Sequence, residues 1–247
     1  MVVDSTRVLT ALGLGAAALG LAIPACGHGV LSPELAQNML IGIAQLQHEA
    51  NAPASLKLRA HANCQLGEKV EQLVEVLNQD APAHGGSDPL VDLLLKRLEG
   101  YQVSIAFFAG ERKYAYDMTA WRTCVKLDPS GVEASNARYK LIAQRYYAML
   151  ASDPGVLKNT NVAGVLEAIG DQESFLKDYP RHPKSTALHF FLGINHYRLV
   201  RNPNDSVRVR EHQARAQAYF LQVVADAPKS VEARAASVLL EKLRGAH

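Results

Sequence analysis

Apolar residues along this chain recur at intervals of three and four rather than two, as in Leu73, Val76 and Leu77 and again in Leu94, Leu95 and Leu98. That spacing gathers them on one face of a 3.6-residue helix. It predicts helices over residues 33–50, 55–79, 88–108, 112–127, 132–151, 160–178, 184–201, 206–226 and 230–244. No run of alternating strand residues bounded by hairpin turns stands out, so the expected fold class is all-α. The breaks carry turn residues: Asn51-Ala52-Pro53, the Pro82 to Gly86 stretch, Ala109-Gly110, Asp128-Pro129-Ser130-Gly131 and Asp153-Pro154-Gly155. Ser32-Pro33-Glu34 has the grammar of a helix start, with a capping hydroxyl, a proline at the first helical position and an acid facing the helix dipole.

The helical pattern repeats. Pro82, Pro129, Pro180 and Pro228 fall 47, 51 and 48 residues apart, and each follows a helix-face triplet. The triplets are Val70, Val74, Leu77; Asp117, Trp121, Cys124; Ala168, Gln172, Phe175; and Ala216, Phe220, Val223. Only Asp117 and Gln172 depart from apolar character.

Within the last copy, His189, Leu192, Gly193 and His196 occupy the W-x₂-L-G-x₂-Y spacing of a tetratricopeptide first helix, and Ala216, Phe220, Val223 and Pro228 occupy the A-x₃-F…P spacing of its partner. Tyr139, Ile142, Ala143 and Tyr146 echo the first-helix pattern. The chain therefore resembles the divergent tetratricopeptide-like family of bacterial envelope lipoproteins. The resemblance implies a helical-hairpin repeat solenoid of about nine helices after the leader, with repeats longer than the usual unit of roughly 34 residues. It also implies that residues between the packing positions of each first helix line a binding groove. Counted from Gly193 these are Phe190, Ile194, Tyr197 and Arg198, and counted from Ala143 they are Lys140, Gln144, Tyr147 and Ala148.

Residues 8–26 carry no charge over 19 positions and follow Arg7 and the terminal amine, a secretory signal pattern. Its end, Ile23-Pro24-Ala25-Cys26, resembles a lipobox, with Pro24 unusual there. Three fates stay open: cleavage after Ala25, lipidation of Cys26, or retention as a membrane anchor, since the run approaches the roughly 20 residues that span a bilayer. The alternative is a buried helix of a cytosolic domain. The expected division is 1–26 as leader and 27–247 as the helical-repeat domain, which points to the periplasm or outer membrane.

Composition sets limits. Of 247 residues 48% are hydrophobic and 20% charged, enough for a sizeable core, and a net charge of +2 without a Lys/Arg run argues against nucleic acid as a partner. Chemistry is sparse. His84-Gly85-Gly86-Ser87 is similar to an esterase oxyanion loop, but no G-x-S-x-G accompanies it, and a turn in which Ser87 or Asp88 caps the next helix explains it better. His182, His189, His196 and His212 suggest a metal, yet no zinc or haem spacing occurs, and His189 and His196 stand at packing positions. No metal and no cofactor are expected. Cys64 and Cys124 remain once Cys26 is assigned to processing; pairing in an oxidising compartment and separate burial are both open.

The function expected is an exported adaptor binding a protein or peptide partner in the envelope, more an interaction module than an enzyme. A hydrolase or glycan-acting enzyme on a helical body and a small-ligand carrier are the alternatives.

Overall fold

A computed structural model describes residues 31–84, 88–152, 162–201 and 208–244. Among them the chain forms nine helices and one two-stranded sheet: α1 Pro33–Asn51, α2 Leu56–His84, α3 Pro89–Glu99, β1 Ile105–Phe108, β2 Lys113–Tyr116, α4 Thr119–Leu127, α5 Val132–Ser152, α6 Val162–Asp178, α7 Ser185–Val200, α8 Val209–Asp226 and α9 Val231–Arg244. The protein is mostly helical, and the helix ends follow local chemistry. Ser32 Oγ accepts from Leu35 N at 3.1 Å ahead of α1, Asp88 Oδ1 accepts from Leu90 N at 2.7 Å ahead of α3, and Ser230 Oγ accepts from Ala233 N at 3.0 Å ahead of α9. Each satisfies a main-chain donor that the first helical turn leaves unpaired.

The described residues fall into two compact units, one reaching Leu141 and the other starting at Ile142, where the sequence predicts one continuous domain. The division lies inside α5. Residues 1–30, and with them the proposed leader and Cys26, lie outside the described residues.

In the N-terminal unit α2 packs against α1, α4 and β2. Its core gathers Ile43, Val70, Leu73, Leu77, Leu98 and Trp121, each at most 1% exposed. Gly67 lets α4 come close, because a Cβ there would lie 2.6 Å from the Trp121 ring. A disulfide joins Cys64 of α2 to Cys124 of α4, one turn from that crossing. Closing a 60-residue loop limits the freedom of the unfolded chain, an effect typically worth about 2–4 kcal/mol.

The β-hairpin corrects two predicted helices, 88–108 and 112–127. Helix α3 stops at Glu99, before Gly100, and Gln102 follows in the left-handed region at φ 59°. The residues beyond alternate in burial instead of following a helical stripe. Tyr114 and Tyr116 of β2 point inward while Ala106 and Phe108 of β1 face solvent. Asp117 departs from its apolar triplet because it precedes the helix, accepting from Thr119 N at 3.0 Å.

The C-terminal unit is centred on α7, which packs on α6, α8 and α9. Residues 190–199 are buried without a break, so α7 has no solvent face along that stretch. Gly193 sits at a helix crossing, as its spacing predicts: a Cβ there would run into the Phe220 ring of α8. Phe220 and Trp121 hold matching places in their helices. Each is followed by a buried residue three positions on (Val223, Cys124), a proline (Pro228, Pro129) and two buried alanines on the next helix (Ala233 and Ala236, Ala134 and Ala137). Leu66-Gly67 likewise matches Leu192-Gly193, a correspondence that the proline-based register hides by placing Val70 on a second helix.

If these glycines are required for the crossings, Gly67→Leu and Gly193→Leu each lower the melting temperature, consistent with overpacking costs of about 1–3 kcal/mol or more. Differential scanning calorimetry that finds either variant melting with the parent contradicts the packing described.

Candidate functional site

The residues that carry chemistry in the C-terminal unit converge on the seam where α6, α7 and α8 meet. His189 and His196 lie two turns apart on α7, and the Tyr219 ring of α8 stacks against both, with centroids 6.0 and 5.8 Å away. The Tyr219 hydroxyl donates to Glu173 Oε1 of α6 at 3.0 Å, and Arg215 lies 3.5 Å from the same oxygen. His196 Nδ1 meets His212 Nδ1 of α8 at 3.0 Å, a contact that requires one nitrogen to carry the proton and the other to accept it. Beside them, Asn195 Nδ2 donates to Gln172 Oε1 at 3.1 Å, which explains the second departure from the apolar triplets: Gln172 is fully buried and pairs across α6 and α7. The remaining Gln172 Nε2 and Asn195 Oδ1 are buried without a hydrogen-bond partner.

Burial disfavours the charged forms of His196, His189 and Tyr219. Burial pushes the His196 imidazolium down to about 4, and the nearby His212 and Arg215 push in the same direction. His189 is also lowered by burial, partly opposed by Asp226, whose Oδ2 lies 3.7 Å from its Nδ1. Tyr219 is raised to about 12 by burial and by Glu173, so it stays a hydrogen-bond donor at neutral pH. Uncharged imidazoles and a protonated phenol suit a structural seam. No group of three or more metal-ligating side chains able to hold an ion occurs among the described residues.

The residues expected to form a groove separate into two sets. On α7, Phe190, Ile194, Tyr197 and Arg198 are only 5%, 3%, 7% and 1% exposed, so in this state they offer no surface to a partner. Phe190 packs toward Phe220, and the Tyr197 hydroxyl accepts from Arg201 at 2.8 Å. On α5, Gln144 and Ala148 are exposed and Tyr147 is 38% exposed. Tyr147 leans edge-on against Phe191, while its neighbour Tyr146 stacks flat on the same ring at 3.9 Å. Lys140 belongs to the N-terminal unit, where its Nζ binds Glu71 Oε2 at 2.6 Å and Trp121 Nε1 donates to the other oxygen at 3.2 Å. It anchors the α2, α4 and α5 packing there.

A second feature lies beside the disulfide in the N-terminal unit. A cavity of about 290 Å³ is lined by Lys57, His61, Cys124, Asp128 and Glu133 among others. Glu133 Oε1 holds His61 Nδ1 at 2.7 Å, and Gln65 Nε2 occupies His61 Nε2 at 2.9 Å. Both ring nitrogens of His61 are thus engaged, and the Cys124 sulfur is bonded to Cys64. Of the His84 to Ser87 stretch, residues 85–87 lie outside the described residues; Asp88, which follows it, caps α3.

Compared with known proteins, the chain matches no family model, no curated protein and no solved structure.

The buried histidines predict acid sensitivity with a definite sign. His196 is neutral in folded and unfolded chains above its ordinary value of 6.5, so its full contribution to stability is present there. As pH falls from about 6.5 to about 4, the unfolded chain gains a proton that the folded chain refuses, and stability declines by on the order of 2–3 kcal/mol. His189 and His182, both lowered by burial, act in the same direction. Urea unfolding at pH 7 and pH 4.5 measures the loss, and His196→Gln reduces its pH slope. A slope unchanged in that variant shows that another group is responsible.

Proposed function

We propose that the protein is an exported helical-repeat adaptor that binds a protein or peptide partner in the bacterial cell envelope. The observation that carries the reading is the recurrence of one packing device: a Leu-Gly step on one helix receives an aromatic ring from a second, at Gly67 with Trp121 and at Gly193 with Phe220. Helix pairs built on one scheme are the units from which repeat solenoids are assembled, and such scaffolds serve mainly as binding surfaces. The Cys64–Cys124 disulfide supports an oxidising compartment, in keeping with a secretory leader over 1–26. Acylation at Cys26 would place the protein on the periplasmic side of a membrane, and an uncleaved leader would do so as an anchor.

The partner surface in this reading includes the exposed side of α5 around Gln144 and Tyr147. Tyrosine is among the residue types enriched at binding hot spots, where truncation can cost about 2 kcal/mol or more. The α7 residues contribute by holding the scaffold together.

A photo-crosslinking amino acid at position 144, next to Tyr147, is expected to trap a discrete envelope protein in living cells. Tyr147→Ala weakens that capture with little change in melting temperature, whereas Tyr197→Ala and Arg198→Ala lower the melting temperature first. Absence of any crosslinked species from positions 144 and 148, with the protein folded and exported, contradicts this surface. A cytosolic, reduced protein contradicts the export reading as a whole.

A further inference from the structure

We infer that the outer edge of β1 binds an extended, apolar peptide segment of a partner protein as a third strand. The inference rests on the adaptor reading and names a place and a form for the partner's chain. The hairpin is an addition to the shared packing scheme. Gly193 and Phe220 lie 27 residues apart, with only residues 201–208 between α7 and α8, whereas Gly67 and Trp121 lie 54 apart, with α3, β1 and β2 between their helices. The α7–α8 crossing forms without such an insertion. In repeat scaffolds insertions of this kind commonly fall on the binding face.

The geometry leaves one edge of the hairpin open. Strands β1 and β2 pair antiparallel, with Phe107 opposite Tyr114 and Ile105 opposite Tyr116. Asn78 of α2 binds both main-chain groups of Tyr114, donating to its carbonyl at 3.0 Å and accepting from its N–H at 2.6 Å. Tyr114 therefore faces its main chain away from β1. The bond from Asp117 N to Ser104 O at 3.2 Å fixes the same alternation. In an antiparallel ladder, the N–H and C=O groups of Phe107 and Ile105 must then point outward, away from β2. Among the described elements β1 packs mainly on β2, and no further main-chain bond engages Ile105 or Phe107. On one face of the open edge Ile105 and Phe107 rest on the core, and on the other Phe108 is half exposed.

These groups also select the occupant. Two donors and two acceptors spaced along an edge are matched by an extended main chain, the arrangement known as β-augmentation. The edge sequence Ile-Ala-Phe-Phe is uncharged, and the nearby Lys113 pairs with Glu111 in the turn, so the complementary segment is apolar and neutral. Four residues span about 13 Å. Such an edge covers far less than the roughly 1,200 Å² of a stable interface between folded chains, which favours a short linear segment over a second copy of this chain.

The test uses the full chain and a capped heptapeptide of alternating valine and threonine, followed by amide hydrogen exchange. The Ile105 and Phe107 amides are expected to exchange rapidly in the free protein and to slow at least tenfold when the peptide is added. Phe107→Pro removes an outward donor while sparing the β1–β2 main-chain bonds, though it also removes the ring contact with Tyr114, and should weaken peptide binding at least tenfold while the Tyr114 amide stays protected by Asn78. If Phe107→Pro disturbs the hairpin, Phe108→Lys gives the same reading by placing a charge on the apolar edge. Protection of both amides in the free protein at every concentration assigns the edge to another segment of this chain, and protection that grows with protein concentration assigns it to a second copy; either overturns the inference. Unchanged exchange at millimolar peptide overturns it too. Crosslinking from position 144 that succeeds while the β1 amides stay unprotected sinks this inference alone and leaves the adaptor reading standing.

Discussion

Two helices approach closely only where a side chain is missing from the contact, and here the missing side chains are those of Gly67 and Gly193. Each gap is filled by the ring of an aromatic residue, Trp121 or Phe220, that has almost no solvent exposure. Much else follows from these crossings. Around Trp121 the approach of α4 to α2 brings Cys124 within reach of Cys64 and lets Glu71 bridge the indole and Lys140. Around Phe220 the approach of α8 to α7 stacks Tyr219 on His189 and His196 and sets His196 against His212.

The second crossing explains why a helix rich in polar residues lies inside its unit. Burying Asn195, His196 and Arg198 is unfavourable unless neighbours answer them. Gln172 and His212 answer the first two, and burial holds His196 neutral. The consequence is a unit whose packing is tied to the protonation of its histidines. The N-terminal unit is secured by covalent chemistry instead, through a disulfide that acidification in this range leaves intact.

Much of this was legible in the sequence. Three- and four-residue spacing located the helices, Ser32 and Pro33 marked the start of α1, and the Leu192-Gly193 step marked a crossing that Phe220 fills. The hairpin was missed because Ile105, Phe107, Tyr114 and Tyr116 form two strands of only four residues each, too short for alternation to outweigh the flanking helical pattern. Gly100 was the available stop signal. The burial of the residues expected to line a groove on α7 has a different reason. Carrying over repeat offsets assumes one face toward solvent, yet Leu188, Phe190, Phe191, Leu192 and Ile194 put apolar residues on every side of α7 between its polar ones, which leaves no wholly polar face to turn outward. Pairing of Cys64 with Cys124 was beyond the sequence, because 60 residues of separation say nothing about distance in space until α2 and α4 are known to cross.

The central claim is that ring and glycine form one unit at each crossing, and a double-mutant cycle on Gly193 and Phe220 tests it most directly. Gly193→Ala alone should destabilise the chain, because the new methyl group meets the ring. Combined with Phe220→Leu, which trims that ring, the same alanine should cost markedly less, and Gly67→Ala with Trp121→Leu should behave alike. Strictly additive losses at both crossings would contradict the account.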